Sequence, residues 1–208
     1  MSFKIIPVFF MPVMVSEEIY KISKKEINYV KNLAVCKSRF NQTSKDTFLL
    51  NRPVLASLKK FILKAVDYYA YDFLKIKKAS AQFYITQSWA SYTNPGEKHH
   101  LHIHQNSLFS GVFYFQGEEG PIQFQTGERR FSLSFQYESM VPQNSETWLI
   151  SPQVGKLVLF PSSLRHEVLI NKSSIQRISL SFNTFASGEF GETHRSDKLI
   201  LSPPKTRK

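Results

Sequence analysis

The sequence predicts a mainly β fold, an antiparallel sandwich, jelly roll or barrel with N-terminal helices ahead of it. Three observations carry that expectation. The 208 residues are 42% apolar and 14% aromatic, with 18 Phe and 9 Tyr, a composition suited to half-buried strands. Up to residue 80 the apolar residues recur at helical spacing, the period of an amphipathic helix. Beyond residue 80, short runs rich in aromatic and β-branched residues are divided by Gly, Pro and Asn, which is the grammar of strands and turns.

In chain order, MSFKIIPVFFMPVMVSEE opens with one lysine and a mostly apolar run broken by Pro7 and Pro12. No small-residue cleavage site follows, so an opening β-strand is expected rather than a signal peptide. SEEIYKISKKEINYVKNLA reads as a first helix, with Ser16 as N-cap, Glu17 and Glu18 in the first turn, and Ile19, Ile22, Ile27 and Val30 as its apolar stripe. CKSRFNQTSKD reads as a polar loop. PVLASLKKFILKAVDYYAYDFLK reads as a second helix, with Pro53 near its first turn and Leu55, Leu58, Ile62, Ala65, Val66, Tyr69 and Phe73 on one side. Nine strand segments follow: AQFYITQSWASY, HLHIH, LFSGVFYF, PIQFQ, RRFSLSFQY, ETWLI, KLVLF, HEVLI and QRISLSFNTF. NPGE, QGEEG, PQVG, PSS and NKSS supply turns between them. The expected organisation is a strand and helical lead-in over 1–80 packed on the sheet, a β core over 81–185 and a flexible tail over 186–208, all one structural unit.

The net charge of +11, from 27 Lys and Arg against 16 Asp and Glu, admits an anionic partner. The lysines are dispersed, mostly through the first 80 residues at helical spacing. A solvated surface is therefore favoured over a nucleic-acid site. No apolar run reaches the length of a membrane span. A single cysteine, Cys36, excludes an intramolecular disulfide and fits a reducing, cytoplasmic setting.

The chemistry is concentrated elsewhere. Four of the six histidines, His99, His100, His102 and His104, fall within six positions. In a strand, residues i and i+2 share a face, so His102 and His104 point together, and two imidazoles so placed can share a metal ion. A third ligand must come from elsewhere, and by residue type His99, His166 and His194 are the candidates. His166 follows KLVLFPSSLRHEV, a buried strand and a Pro turn that bring the chain back across the mouth of a sandwich. Arg177 and Ser179 share a strand face in QRISLSFN, beside Leu180 and Phe182. A buried arginine needs an anionic partner, and a guanidinium fork beside a hydroxyl suits a ligand carboxylate. The bland readings are a surface pair for His102 and His104, an ordinary ion pair of Arg177 with Glu146 or Glu167, and a packing role for Asn183. His99 and His100 read as flanking or solvent residues, and Glu167 as facing away from the site.

HLHIHQNSLFSGVFYF, KLVLFPSSLRHEV and RISLSFN together resemble the iron(II)- and 2-oxoglutarate-dependent oxygenases, over residues 83–185. The nearest likeness is to a group found in marine bacteria and their phages. The resemblance implies a double-stranded β-helix (a cupin-like jelly roll) braced by two helices. It implies Fe(II), with 2-oxoglutarate and O2 as cosubstrates, and oxidative decarboxylation coupled to C–H hydroxylation of a further substrate. It places the metal on His102 and His166, the far carboxylate of 2-oxoglutarate on Arg177 and Ser179, and a phage-encoded member in the host cytoplasm. One departure stands out: His104 occupies the position that is Asp or Glu in most of the superfamily. Either His104 is a third, neutral ligand or water takes the place of the carboxylate. Trp89, Tyr92 and Tyr114 are expected to line the pocket. The stretch from Gly117 to Gln153 is expected to form an insert over its mouth, with Phe131, Phe135, Tyr137 and Trp148 as candidates for substrate choice. The charge leans towards an anionic or macromolecular substrate. Two other classes stand beside this one: a cupin-like three-histidine metalloenzyme without 2-oxoglutarate, which would not need Arg177 and Ser179, and a non-enzymatic jelly-roll binding module.

Overall fold

The computed structural model describes residues 2, 4, 10–127, 132, 133, 135–192 and 196–202. The lead-in contains β1 (Met14–Val15), α1 (Lys24–Lys31), β2 (Val35–Lys37), β3 (Gln42–Ser44) and α2 (Ala56–Asp67). The β core follows as β4 (Ala81–Thr93), β5 (His99–His102), β6 (Phe109–Gln116), β7 (Ile122–Gln125), β8 (Thr147–Ile150), β9 (Leu157–Pro161), β10 (Arg165–Val168) and β11 (Arg177–Phe190). A last strand, β12 (Leu199–Leu201), pairs with β11. The major sheet runs β1-β9-β6-β11-β4-β3-β2 and the minor sheet β5-β10-β7-β8.

The major sheet has two chemically different faces because its central strands alternate. On β11, Ile178, Leu180 and Phe182 are buried with Ala90 and Tyr92 of β4, Phe113 of β6 and Leu157 and Leu159 of β9. Leu55, Leu58, Ile62 and Val66 of the α2 region complete that core. Arg177, Ser179 and Ser181 point the other way, in register with Thr93, Ser91 and Trp89, towards the minor sheet. A smaller core of Ile122, Phe124, Val158, Phe160 and Leu164 closes the space between the sheets.

Several expectations are corrected. The first helix starts at Lys24, capped by Ser23 with a complete capping box to Glu26. Ser23 has the acid three residues on that makes the cap reciprocal, whereas Ser16 has Ile19 there. Ser16 instead joins the sheet, its N–H donating to the Leu157 carbonyl at 2.8 Å. The second helix begins as a 3-10 turn at Pro53–Leu55, continues as α2, and ends in a π-helical turn over Tyr68–Phe73. CKSRFNQTSKD is no loop: it contains the β2–β3 hairpin, which adds to the edge of β4. In RRFSLSFQY the described residues 132, 133 and 135–137 belong to no strand. The break expected at residue 186 falls inside β11, which continues to Phe190. Of the opening segment, residues 1, 3 and 5–9 lie outside the described residues, as do Phe131 and His194. Among the described residues no helix is long and apolar enough to cross a membrane.

Gly111 on β6 marks a close approach within the major sheet, between β11 and β9. A Cβ there would overlap the Phe182 ring and stand 2.9 Å from the Val158 carbonyl oxygen. Gly111→Ala is expected to cost about 1–3 kcal/mol through overpacking, read as a lower midpoint in chemical denaturation at unchanged slope.

Candidate metal centre and its cavity

Antiparallel pairing of β5 and β10 places the Cα of His102 opposite that of His166, and their ring centroids lie 4.3 Å apart. His104 sits two residues past the end of β5, anchored by its N–H to the Ser162 carbonyl at 3.0 Å. Its ring centroid is 5.0 Å from that of His102 and 5.1 Å from that of His166. One ring nitrogen from each of the three lies within 4.8 Å of the others, a grouping able to hold a metal ion.

Backbone carbonyls fix two of the tautomers. His102 Nδ1 lies 2.8 Å from the His100 carbonyl oxygen, and His166 Nδ1 lies 2.8 Å from that of Leu164. A carbonyl only accepts, so each Nδ1 carries the proton and each Nε2 keeps its lone pair for a metal. Burial reinforces neutrality. It lowers His166 to about 3, opposed by the Leu164 hydrogen bond and assisted by His102 and His104. It lowers His104 to about 4 with help from His102 and His99, and His102 is lowered in the same way. Three neutral imidazoles with free lone pairs fit a transition-metal ion.

At the other end of the cavity, the buried Arg177 guanidinium donates to the Gly120 carbonyl and, at 3.0 Å, to Thr93 Oγ1. Its Nε is buried without a partner, and burial disfavours its charge. Neither Glu146 nor Glu167 pairs with it among the described residues; Glu167 accepts from Gln125 at 3.0 Å. Ser179 lines the same cavity. The long axis follows β11. Trp89, opposite Ser181, packs 5.9 Å from the His104 ring, and Arg177 lies four residues away, about 13 Å along an extended strand.

Trp89 and Tyr114 are among the residues that line the cavity. Tyr114 is held protonated by burial, which raises it to about 12. Tyr92 does not line it: its side chain is on the helix-facing side, with the hydroxyl donating to the Val30 carbonyl. Among the described residues of the stretch 117–153, Ile122 alone is among the lining residues, and Phe135, Tyr137 and Trp148 are exposed. In their place stand Asn41 and Thr43 of the β2–β3 hairpin and His99 of β5. The apolar alternation that identifies strands is missing from the hairpin, so nothing in the local pattern points to Asn41 or Thr43. His100 is exposed and packs on Phe40.

The depressed imidazoles make stability depend on pH. Unfolded histidines titrate near 6.5, whereas folded His99 and His104 do so near 4 and His166 near 3. Between those limits the unfolded chain binds more protons, so stability is complete above pH 6.5 and declines as pH falls towards 4. The melting temperature of metal-free protein should therefore fall over that window, and His166→Leu should make the fall shallower.

Residues 87–183 match the family model described as "Putative 2OG-Fe(II) oxygenase". No curated protein matches the chain, whereas 256 solved chains do. One similar structure is the non-heme alpha ketoglutarate dependent epimerase SnoN from nogalamycin biosynthesis, at TM-score 0.59 and 12% identity over 95% of this chain and 94% of that one. Another is HygX from Streptomyces hygroscopicus with nickel, 2-oxoglutarate and hygromycin B bound, at 0.56 and 13% over 84% and 82%. A third is an oxidoreductase of the 2OG-Fe(II) oxygenase family from Burkholderia pseudomallei, at 0.55 and 13% over 83% of both chains. At these identities the likeness is one of fold, the jelly roll that the two sheets form here.

Proposed function

We propose that this chain, which its residues 87–183 make a member of the iron(II)- and 2-oxoglutarate-dependent oxygenases, hydroxylates a C–H bond of its primary substrate while 2-oxoglutarate is decarboxylated to succinate. His102, His104 and His166 hold the iron; Arg177 and Ser179 hold the far carboxylate of 2-oxoglutarate. The observation that supports this most strongly is Arg177, a buried guanidinium with no carboxylate partner among the described residues, in the same cavity as three clustered neutral imidazoles. Removing such a charge from water without an anion costs several kcal/mol, and a ligand carboxylate offsets that cost. A three-histidine centre that uses no oxo-acid leaves Arg177 without a purpose.

Each residue has a defined task. The His100 and Leu164 carbonyls orient the rings of His102 and His166 so that Nε2 faces the cavity. Phe160 and Phe124, with ring centroids 4.7 and 5.9 Å from that of His166, and Trp89 beside His104, keep bulk water from the three rings. When bound, iron(II) supplies the dioxygen and one-electron chemistry that these side chains lack. Arg177 and Ser179 set the direction of the cosubstrate along β11, with its oxo end towards the histidines. Among the described residues the cavity lining contains no Asp or Glu, and that charge balance supports an anionic primary substrate.

Anaerobic titration of iron(II)-loaded protein with 2-oxoglutarate tests the assignment through the weak visible charge-transfer band of the chelate. His166→Ala should abolish the band. Arg177→Ala should raise the 2-oxoglutarate Kd by about 30-fold or more, as expected for truncating one side of a buried charged pair. Iron that binds without a band, or an Arg177→Ala protein with unchanged Kd, contradicts the proposal.

A further inference from the structure

Four buried side-chain nitrogen or oxygen atoms among the described residues lack a hydrogen-bond partner: Asn41 Oδ1, His99 Nδ1, Arg177 Nε and Ser145 Oγ. Asn41, His99 and Arg177 all line the cavity just described. A buried polar group left unpaired costs about 1–3 kcal/mol, so three such groups on one cavity mark the place of a polar ligand. Arg177 has an assigned role; Asn41 and His99 have none.

Strand register sets their position. Thr43 of β3 pairs with Ser91 of β4, and Ser91 pairs with Ser179 of β11. Two residues earlier, Asn41 falls on the same face at the level of Thr93 and Arg177, which pair with each other. Asn41 is only 4% exposed. On the minor sheet His99 lies opposite Val168, on the side of the His102–His166 pair away from His104. Phe40, next to Asn41, packs its ring 4.9 Å from that of His100 and 6.3 Å from that of His99, which holds the hairpin tip on β5. Asn41 therefore belongs to the Arg177 end of the cavity, and His99, its ring centroid 4.8 Å from that of His102, stands between that end and the three histidines.

We infer that Asn41 and His99 are cosubstrate-binding residues, which complete with Arg177 and Ser179 a cradle for the far carboxylate of the oxo-acid. The inference rests on the oxygenase reading. An amide turned by 180° presents NH2 where its oxygen stood, and a neutral imidazole protonated at Nδ1 presents N–H, so both supply donors to a carboxylate. The N-terminal hairpin thereby forms part of the active site, and it selects a dicarboxylic oxo-acid over a monocarboxylic one.

Pyruvate provides the discriminating probe, because it carries the same 2-oxo-carboxylate chelating group as 2-oxoglutarate and lacks the far carboxylate. Anaerobic iron(II)-loaded protein is titrated with each oxo-acid, and the chelate band gives both Kd values. The wild type should prefer 2-oxoglutarate. Asn41→Asp, which sets a carboxylate against a carboxylate, should reduce that preference by about tenfold or more while the pyruvate Kd stays constant. His99→Gln should reduce it in the same direction. The pyruvate band in each variant shows that fold and metal centre are intact; a variant that loses it is replaced by Asn41→Ala, for which the same loss of preference is expected. If Arg177→Ala erases the preference and neither Asn41 variant changes it, the inference fails and the oxygenase reading stands. If the wild type gives no band with either oxo-acid, both fail.

Discussion

Strict alternation along β11 is the constraint on which the rest of the structure depends. One side of the strand, Ile178, Leu180 and Phe182, is sealed against α2 and the outer core, and the other, Arg177, Ser179 and Ser181, faces the minor sheet. A slip of one residue would exchange the two sets, burying a guanidinium among leucines and exposing three apolar side chains. Pairing with β4 and β6 on both flanks fixes that register. The helices therefore brace the sheet by covering its apolar face, and in doing so they determine which face is left for chemistry.

The second constraint is electrostatic. The cavity holds three neutral imidazoles, a fourth in His99 and a guanidinium, with no carboxylate in its lining among the described residues. Beneath the histidine loop the buried polar groups form a closed network instead: Ser110, Ser162, Ser107 and Asn183 bond to one another. The contrast locates the ligand site. At Asn183 the hydrogen bonds close on protein; at Arg177, Asn41 and His99, which share one cavity, the open atoms are the ground for proposing a ligand. If His104 takes the ligand position that a carboxylate holds in most of the superfamily, the proposed metal centre has one negative charge fewer, and an anionic cosubstrate would weigh more in its charge balance.

Features with a local period were legible in the sequence. His-x-His and Arg-x-Ser at strand spacing, the Pro turn before His166 and the apolar stripe of α2 each declare themselves within a few residues. Features set by distant packing were not. The β2–β3 hairpin is an exposed edge whose strand β2 buries nothing, so no apolar alternation marks it, and the burial of Asn41 depends on β4 and on histidines far along the chain. RRFSLSFQY fails in the opposite sense: it alternates, yet Leu133 and Phe135 are exposed, with no sheet face to receive them. Nearness to the histidines in sequence suggests Tyr92 for the pocket, but parity along β4 puts it on the other face from Trp89 and Ser91.

The central claim, that His102, His104 and His166 share one iron ion, is most directly tested by X-ray absorption at the iron edge of the anaerobic iron(II) protein. Multiple scattering from imidazole rings counts the histidine ligands. The structure predicts three rings in the wild type and two in His104→Ala. Two rings in the wild type, unchanged by His104→Ala, would mean that His104 stands off the metal and the three-histidine centre is wrong.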